Sequence, residues 1–180
     1  MDGEANNTGQ EKNRPPSPLK TWGQNKSVRL QDFDYHEHAP YHVIVRCRPG
    51  AAPFGRTVMA TMAAEALTTL LGELNAHLGA FCLMPDHLHV LLSPDQSGRS
   101  VGEIIGRYKG ITTKRSWFLG WEGRLWQAPF YDHIVRRSEI IVDVASYIYE
   151  NPDRRGLSSE YPYRWVDAQV CARSQGHRGG

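Results

Sequence analysis

The sequence lacks the features that mark membrane, secreted or disulfide-stabilised proteins. None of its apolar runs approaches the roughly 18 residues that a membrane-spanning helix needs. Its Asn- and Gly-rich start has no apolar core of the kind found in secretory signals. The three cysteines, Cys47, Cys82 and Cys171, are far apart and form no Cys-x-x-Cys pair, which argues against a disulfide framework and a zinc knuckle. We therefore expect a soluble, cytoplasmic protein with no membrane partner.

The chain also lacks an excess of charge of one sign. Lys and Arg number 21 against 19 Asp and Glu, so the net charge of +2 points to no particular partner.

With 180 residues, of which 40% are hydrophobic, the chain is long enough for one packed domain and too short for two of full size. The absence of hydrophobic periodicity predicts a flexible arm over 1–34 and a flexible tail over 169–180, around a domain at 35–168.

The domain alternates between strand-like and helix-like patterns. Alternating and β-branched residues predict strands over 41–48, 80–84, 87–92 and 130–136. Apolar residues at helical spacing predict helices over 57–77, 101–118 and 139–151, with Gly79 after the first, Ser100 and Ser138 as N-caps, and Pro152 as the final stop. The order β-α-β-β-α-β plus a helix predicts an α+β fold with a ferredoxin-like antiparallel sheet. Its helices should pack on one face and leave the other for a site or a further helix.

Two histidines stand out in the segment Met-Pro-Asp-His-Leu-His-Val at 84–90. Pro85-Asp86 predicts a hairpin turn, and strand alternation then places His87 and His89 on one face while Leu88 and Val90 enter the core. Paired imidazoles on a strand are typical of metal sites and of acid–base chemistry. A pair of solvent-facing histidines explains the same pattern equally well.

The last predicted helix carries a second candidate pair. Ile140, Val144 and Ile148 define its buried stripe, and Tyr147 falls within about 20° of Ile140 at 100° per residue. Asn151 lies one turn beyond Tyr147 on the same side, whereas Tyr149 points the opposite way. A core tyrosine followed by a helix-terminating asparagine is the simpler interpretation of this pattern.

Taken together, the motifs resemble the HUH single-tyrosine transposase family, and within it the REP-associated tyrosine transposases. The resemblance runs from about Tyr41 to Trp165. It is carried by four motifs in fixed order: Pro85-Asp86-His87-Leu88-His89, a basic helix, Leu125-Trp126-Gln127 with Phe130-Tyr131-Asp132-His133, and Tyr147-Ile-x-x-Asn151-Pro152 followed by Gly156-Leu157.

The resemblance implies a function and assigns roles by position. It implies a transposase that nicks and rejoins single-stranded hairpin DNA through a covalent phosphotyrosine. Tyr147 would be the nucleophile, and His87, His89 and Asn151 the metal ligands, although the insertion-sequence branch often has Gln where Asn151 stands. Asp153 also departs from the apolar residue that is common after Asn-Pro in this branch. Two imidazoles and an amide form an open, neutral site, which suits weakly bound Mg²⁺ or Mn²⁺ better than structural zinc.

Basic and aromatic residues are interleaved between and around these motifs. Single-stranded DNA is bound by such mixtures of phosphate partners and stacking rings. The candidate DNA-binding residues are Arg107, Lys109, Lys114, Arg115, Trp126, Arg136, Arg137 and Arg154. Core tryptophans and an ordinary solvated face of arginines would produce the same interleaving.

Two other functions fit parts of the pattern. A replication-initiation or relaxase-type nickase shares the two histidines. The motif order argues against it, because here the tyrosine helix follows the histidines late in the chain, as it does in the transposases. A catalytically idle nucleic-acid-binding module on the same fold would not need His87, His89 and Tyr147 together. The short connection before Glu139 lets Tyr147 reach histidines of its own chain, so we favour a monomer, with a homodimer that exchanges tyrosine helices as the alternative.

Overall fold

The structure is a computed structural model that describes residues 39–128, 130–134 and 138–170. For residues 131–134 and 138–140 it describes only the backbone. The predicted arm over 1–34 and the tail beyond residue 170 lie outside the described residues. Val170, two residues beyond the predicted end of the domain at residue 168, is buried against the sheet. Within the described ranges, no helix is long and apolar enough to cross a membrane.

In the part of the chain that the structure describes, five antiparallel strands form one sheet in the order β4-β1-β3-β2-β5. The elements along the chain are β1 (Tyr41–Arg46), α1 (Thr57–Glu73), β2 (His77–Met84), β3 (His87–Ser93), α2 (Val101–Phe118), β4 (Tyr131–Ile134), α3 (Ser138–Tyr149), α4 (Asn151–Arg154) and β5 (Arg164–Val166), with short 3-10 turns at Pro53–Gly55 and Asp95–Ser97. The predicted α+β fold with an antiparallel sheet and a C-terminal tyrosine-bearing helix is confirmed.

The two faces of the sheet are covered by different helices. On the first, which we call the helix face, Leu88 and Val90 pack with residues of α1 and α2 in the larger hydrophobic core. On the second, which we call the site face, Leu91 packs with Val144 and Ile148 of α3 in a smaller core. Strand alternation produces this division, because successive side chains of β3 point to opposite faces. The predicted spare face is therefore occupied by the last long helix.

Several local predictions are confirmed by the structure. Met84 pairs with His87, so Pro85-Asp86 forms the two-residue turn of the predicted hairpin. Ser100 caps α2 through a capping box, in which its hydroxyl accepts from the backbone N–H of Glu103 and the Glu103 carboxylate accepts from the Ser100 N–H. A cap of this kind stabilises a helix by about 1 kcal/mol.

The end of α1 and the start of β2 differ from the sequence prediction. The helix ends at Glu73, because Asn75 adopts a left-handed conformation with φ of 54°. The strand begins at His77 and contains Gly79 beside a register shift. A Cβ at Gly79 would lie 3.1 Å from the Leu91 side chain. Gly79 therefore permits close packing inside the sheet and is not a helix breaker.

The C-terminal part contains two elements that the sequence pattern does not predict. Helix α3 ends at Tyr149, and Pro152 lies at the start of α4. The first N–H groups of a helix have no partner within the helix, so a proline is tolerated there. The chain returns as β5 and pairs with β2 through Phe81 and Trp165. A strand of three residues is too short to show a period in the sequence.

Candidate active site

His87 and His89 lie together on the site face of β3. Their side chains are 3% and 4% exposed, and they share this face with Leu91, opposite Leu88 and Val90. The predicted orientation is confirmed, and the alternative of a solvent-facing pair is excluded by their burial. A buried imidazole is costly unless its nitrogens have partners, and the partners define the site.

Four side chains form a continuous line, which we call the histidine row. It runs from Asp86 through His87 and His89 to His42 on β1. Asp86 Oδ1 lies 2.6 Å from Nδ1 of His87, the Nε2 atoms of His87 and His89 lie 3.0 Å apart, and Nδ1 of His89 lies 3.1 Å from Nε2 of His42. Since Asp86 accepts the Nδ1–H of His87, the Nε2 lone pair of His87 is directed towards His89.

The environment of the row favours the neutral forms of His87 and His89. Burial lowers the pKa of His87, against the opposing effect of the Asp86 hydrogen bond. Burial also holds the pKa of His89 well below its usual range, and the neighbouring His42 and His87 lower it further. Burial would raise the pKa of Asp86, but its bond to His87 leaves the pKa below the ordinary value. Neutral imidazoles have the lone pair that a metal ion requires.

Tyr147 of α3 lies against the middle of the row. Its half-buried ring meets His89 edge-on with 5.9 Å between ring centroids, and His42 with 6.3 Å. The Arg154 guanidinium lies 5.5 Å from the centre of the same ring. Tyr149, by contrast, is 39% exposed and covered by Arg164. The predicted helix register is therefore correct, and the tyrosine lies over histidines of its own chain.

Asn151 is buried one turn beyond Tyr147. Its side chain is 5% exposed, and its amide nitrogen donates to the Tyr147 carbonyl oxygen at 3.2 Å. That bond uses the nitrogen and leaves the amide oxygen as the atom that a cation would bind. Its burial sets it apart from a simple solvent-exposed helix terminator.

The donor set fits a weakly bound divalent cation. Within the described part of the chain, no three His, Cys, Asp or Glu side chains are grouped as a metal site. The row instead brings two neutral Nε2 atoms together at 3.0 Å, and a carboxylate orients one of the two rings. Carboxylate–histidine pairs of this kind are typical supports of metal-binding imidazoles.

Several positive charges lie near the histidine row. The charges of Arg46 and Arg155 contribute to the lowered pKa values of His87 and His89, after the larger effect of burial. The candidate Arg154 lies beside Tyr147 and also pairs with Glu150 at 2.9 Å. An anion at this position would be attracted by the arginines and repelled by Asp86 and Glu150.

A groove extends away from Asp86, which we call the basic groove. Its near part is lined by Arg46, Asp86 and Gln127, and its far part by Arg56 and Trp121, with the loop at 48–52 common to both. The Arg48 guanidinium lies 5.5 Å from the centre of the Trp121 ring. The groove thus combines three arginines and an aromatic ring with one carboxylate.

The basic helix α2 lies elsewhere. It packs on the helix face, on the side of the sheet opposite to the histidine row. Arg107, Lys114 and Arg115 are exposed there, and the structure does not bring them to the site. Lys109 is half-buried, donates to the carbonyl oxygens of Gln127 and Ala128, and has a pKa lowered by burial. These contacts fix the 127–128 segment to the helix.

The expectation that Trp126 stacks on DNA is wrong. The residue is 3% exposed and packs between Phe54 and Tyr108, with its indole nitrogen donating to the Thr112 hydroxyl at 2.8 Å. A ring enclosed in this way offers no face to a base. The candidates Arg136 and Arg137 lie outside the described residues.

Sequence reasoning missed three residues of this site, namely His42, Asp86 and Arg46. Strand alternation places His42 and Arg46 on one face of β1, so part of the signal is present in the sequence. The pairing of Ile44 with His89, which brings His42 to the row, depends on a strand register that periodicity does not reveal.

Comparison with known proteins identifies relatives. The sequence profile of the family described as "Transposase IS200 like" matches residues 35–151. A protein of Haemophilus influenzae without assigned function is 22% identical over 161 residues, covering 71% of this chain and 87% of that protein. Another from the same organism, named as a REP-associated tyrosine transposase, is 25% identical over 108 residues, covering 52% of this chain and 60% of its own length.

A solved structure is similar in fold. The structure of a REP-associated tyrosine transposase bound to a REP hairpin superposes with a TM-score of 0.61 at 19% identity. The match covers 71% of this chain and 76% of the other. At this level of identity the comparison shows a common fold.

Proposed function

The chain belongs to the IS200-like transposase family, and on that premise we propose that it nicks and rejoins single-stranded hairpin DNA through Tyr147. The observation that carries this proposal is the contact of Tyr147 with His89, whose Nε2 atom converges with that of His87. The proposed nucleophile and the two proposed metal ligands therefore belong to one chain and lie together on the site face.

The reaction follows from the chemistry of a tyrosine and a phosphodiester. The Tyr147 oxygen would attack the phosphorus in line with the leaving 3′ oxygen, so that a phosphotyrosine bond forms as the P–O3′ bond breaks. The 3′ oxygen takes up a proton and leaves as a hydroxyl. Attack by a DNA 3′-hydroxyl on the phosphotyrosine reverses these steps and restores Tyr147, so rejoining needs no external energy source.

A tyrosine hydroxyl with an ordinary pKa near 10 is a weak nucleophile at neutral pH, and a phosphodiester repels anions. A Mg²⁺ or Mn²⁺ ion held by His87, His89 and Asn151 would polarise the phosphate oxygens. The chain itself would add two contributions. Arg46 and Arg155 attract the phosphate, and the packing of Tyr147 on the row restricts the approach of its oxygen.

The proposed substrate is single-stranded DNA with a hairpin. The fold relative was solved with a REP hairpin, and in this chain the basic groove leads away from the histidine row. Stacking on a ring such as Trp121 requires a base that is not already stacked on both sides, as in single strands and loops. The arginines of the groove supply phosphate contacts.

A replication or relaxase-type nickase remains the alternative within the same chemistry, and the family match favours the transposase. An idle binding module is disfavoured because Tyr147 contacts His89, which lies beside His87, and the buried Asn151 donates a hydrogen bond to the Tyr147 carbonyl.

The decisive experiment is incubation with single-stranded hairpin DNA and Mn²⁺, followed by denaturing electrophoresis. We expect a covalent protein–DNA band with the wild-type chain and with Tyr149→Phe, and none with Tyr147→Phe, which should still bind DNA. A band that survives in Tyr147→Phe but disappears in Tyr149→Phe would contradict the assigned nucleophile. Binding without any covalent band would favour the idle module.

A further inference from the structure

His42 is a polar residue at a position where packing alone would favour an apolar one. Its side chain is 2% exposed, and its neighbours on β1, Tyr41, Val43 and Ile44, are buried too. A buried imidazole must satisfy its nitrogens, whereas a leucine or phenylalanine would fill this space without that requirement. The contacts of its ring therefore need an explanation beyond the formation of a core.

Those contacts are with the two central groups of the site. Nε2 of His42 lies 3.1 Å from Nδ1 of His89, and the two rings are nearly parallel, with 5.4 Å between centroids and an angle of 22° between planes. The edge of the same ring packs against Tyr147 at 73°. His42 therefore touches a proposed metal ligand through a hydrogen bond and the proposed nucleophile through its ring.

The hydrogen bond determines what the other nitrogen of His89 can do. An imidazole that binds a metal through Nε2 carries its proton on Nδ1, and a partner that accepts this proton fixes both the tautomer and the ring orientation. Asp86 has this role for His87. At His89 the corresponding position is occupied by Nε2 of His42.

We propose that His42 is a positioning residue: when a cation occupies the site, Nε2 of His42 accepts a hydrogen bond from Nδ1–H of His89 and thereby directs the His89 Nε2 lone pair towards that cation. The inference rests on the cation site of the proposed function. Because the same ring supports Tyr147, His42 also fixes the distance between the nucleophile and the cation ligands. The two supports differ in strength, since a carboxylate accepts a hydrogen bond more strongly than a neutral imidazole.

The test compares two substitutions of similar size in the full chain. His42→Phe keeps a buried ring but removes the acceptor, and His42→Gln places an amide oxygen close to the position of Nε2. Mn²⁺ binding is measured from the loss of the free Mn²⁺ signal in electron paramagnetic resonance, and folding is checked by thermal unfolding. His77→Ala, at an exposed histidine on the same sheet, serves as the control.

We expect His42→Phe to weaken Mn²⁺ binding by about 10- to 100-fold, the usual effect of losing a partner of a metal-bound histidine, and His42→Gln to retain most of the affinity. The Mn²⁺ concentration for half-maximal adduct formation should rise by the same factor. Equal Mn²⁺ affinity in His42→Phe and wild type would overturn the inference, as would equal losses in the Phe and Gln variants. If His87→Ala binds Mn²⁺ as tightly as the wild type, the assigned cation site is wrong and the proposed function fails with it.

Discussion

Arg164 on β5 donates a hydrogen bond to the backbone carbonyl of Tyr149, the last residue of α3, at 3.1 Å. The same guanidinium pairs with Asp153 of α4 at 2.6 Å and covers the Tyr149 ring at 4.5 Å. The arginine thus ties the end of the tyrosine helix to the sheet of its own chain. We therefore expect the site to be completed within a single chain.

The first prediction is that Tyr147 acts with the histidine row of its own chain. A mixture of Tyr147→Phe and His87→Ala proteins should form no covalent adduct with hairpin DNA, because neither chain has both the nucleophile and the complete row. Denaturing electrophoresis measures the adduct, with each variant alone and the wild type at the same total concentration as controls. Adduct in the mixture alone would show that copies exchange tyrosine helices.

A second prediction separates metal binding from folding. His87→Ala should eliminate Mn²⁺-dependent cleavage and change the free energy of unfolding much less than truncation of Leu88, because the imidazole lies on the site face and the leucine in the main core. Truncating a buried leucine costs about 2–5 kcal/mol. Cleavage rates across a Mn²⁺ series and urea unfolding are the measurements. Unchanged cleavage by His87→Ala would exclude a metal role for the row.

A third prediction distinguishes the basic groove from α2. Arg48→Ala and Trp121→Leu should weaken binding of a hairpin with a single-stranded tail more than binding of a blunt duplex, because duplex bases cannot stack on the ring. Arg107→Ala and Lys114→Ala, on the opposite face of the sheet, are the matched controls. Affinity is measured over a salt series, where each lost phosphate contact should reduce the slope by about 0.7. Larger losses from the α2 variants would assign DNA binding to that helix.

A fourth prediction follows from the burial of Trp126. Trp126→Ala should lower the free energy of unfolding by about 3–5 kcal/mol, as large-to-small changes in a core do. Trp117→Ala, at a ring that is 51% exposed, should cost far less. Urea unfolding compares the two. A Trp126→Phe protein of unchanged stability that loses DNA affinity would instead restore the role in stacking.

A fifth prediction concerns the two buried thiols. Burial raises the pKa of Cys47 and of Cys82 from the ordinary 9.0 of a thiol to about 12. In a Cys171→Ser background, iodoacetamide at pH 8 should therefore label the folded protein much more slowly than the urea-unfolded protein. Rapid labelling of the folded chain would show that these sites open to solvent.

The same thiols make stability depend on pH. Burial raises the pKa of each thiol in the folded state, so between about pH 9 and pH 12 the thiols ionise only in the unfolded state. The contribution of the buried neutral thiols to the free energy of unfolding is therefore fully present below pH 9 and is lost as the pH rises towards 12. The loss should reach at most about 1.4 kcal/mol per thiol for each pH unit in this window. Urea unfolding of Cys82→Ala and its parent at several alkaline pH values measures it.

The sequence predicted well those features that a local period encodes. The alternation at 87–90 correctly assigned faces to His87 and Leu88, and helical spacing placed Tyr147 inwards and Tyr149 outwards. The period does not encode which strands pair or which face a helix covers. His42 was missed because its role depends on the register of β1 with β3, and the basic residues of α2 were assigned to a site on the other side of the sheet.

Residue type alone also failed to separate core from surface. Trp126 and Trp117 both stand among basic residues, yet one is enclosed and the other is half exposed. Their difference arises from long-range contacts, such as that of Trp126 with Phe54, which a local pattern does not contain.

The alternation of β3 has a consequence for how such a chain tolerates insertions and deletions. Core and site residues are interleaved one by one along seven residues, from His87 to Ser93. Adding or removing one residue within this strand would move the imidazoles into the core and the leucines into the site at once. Lengthening the partly exposed turn at 95–99 would leave the alternation of both core and site residues intact. We therefore expect natural length variation among relatives to occur in that turn and to be excluded from the strand.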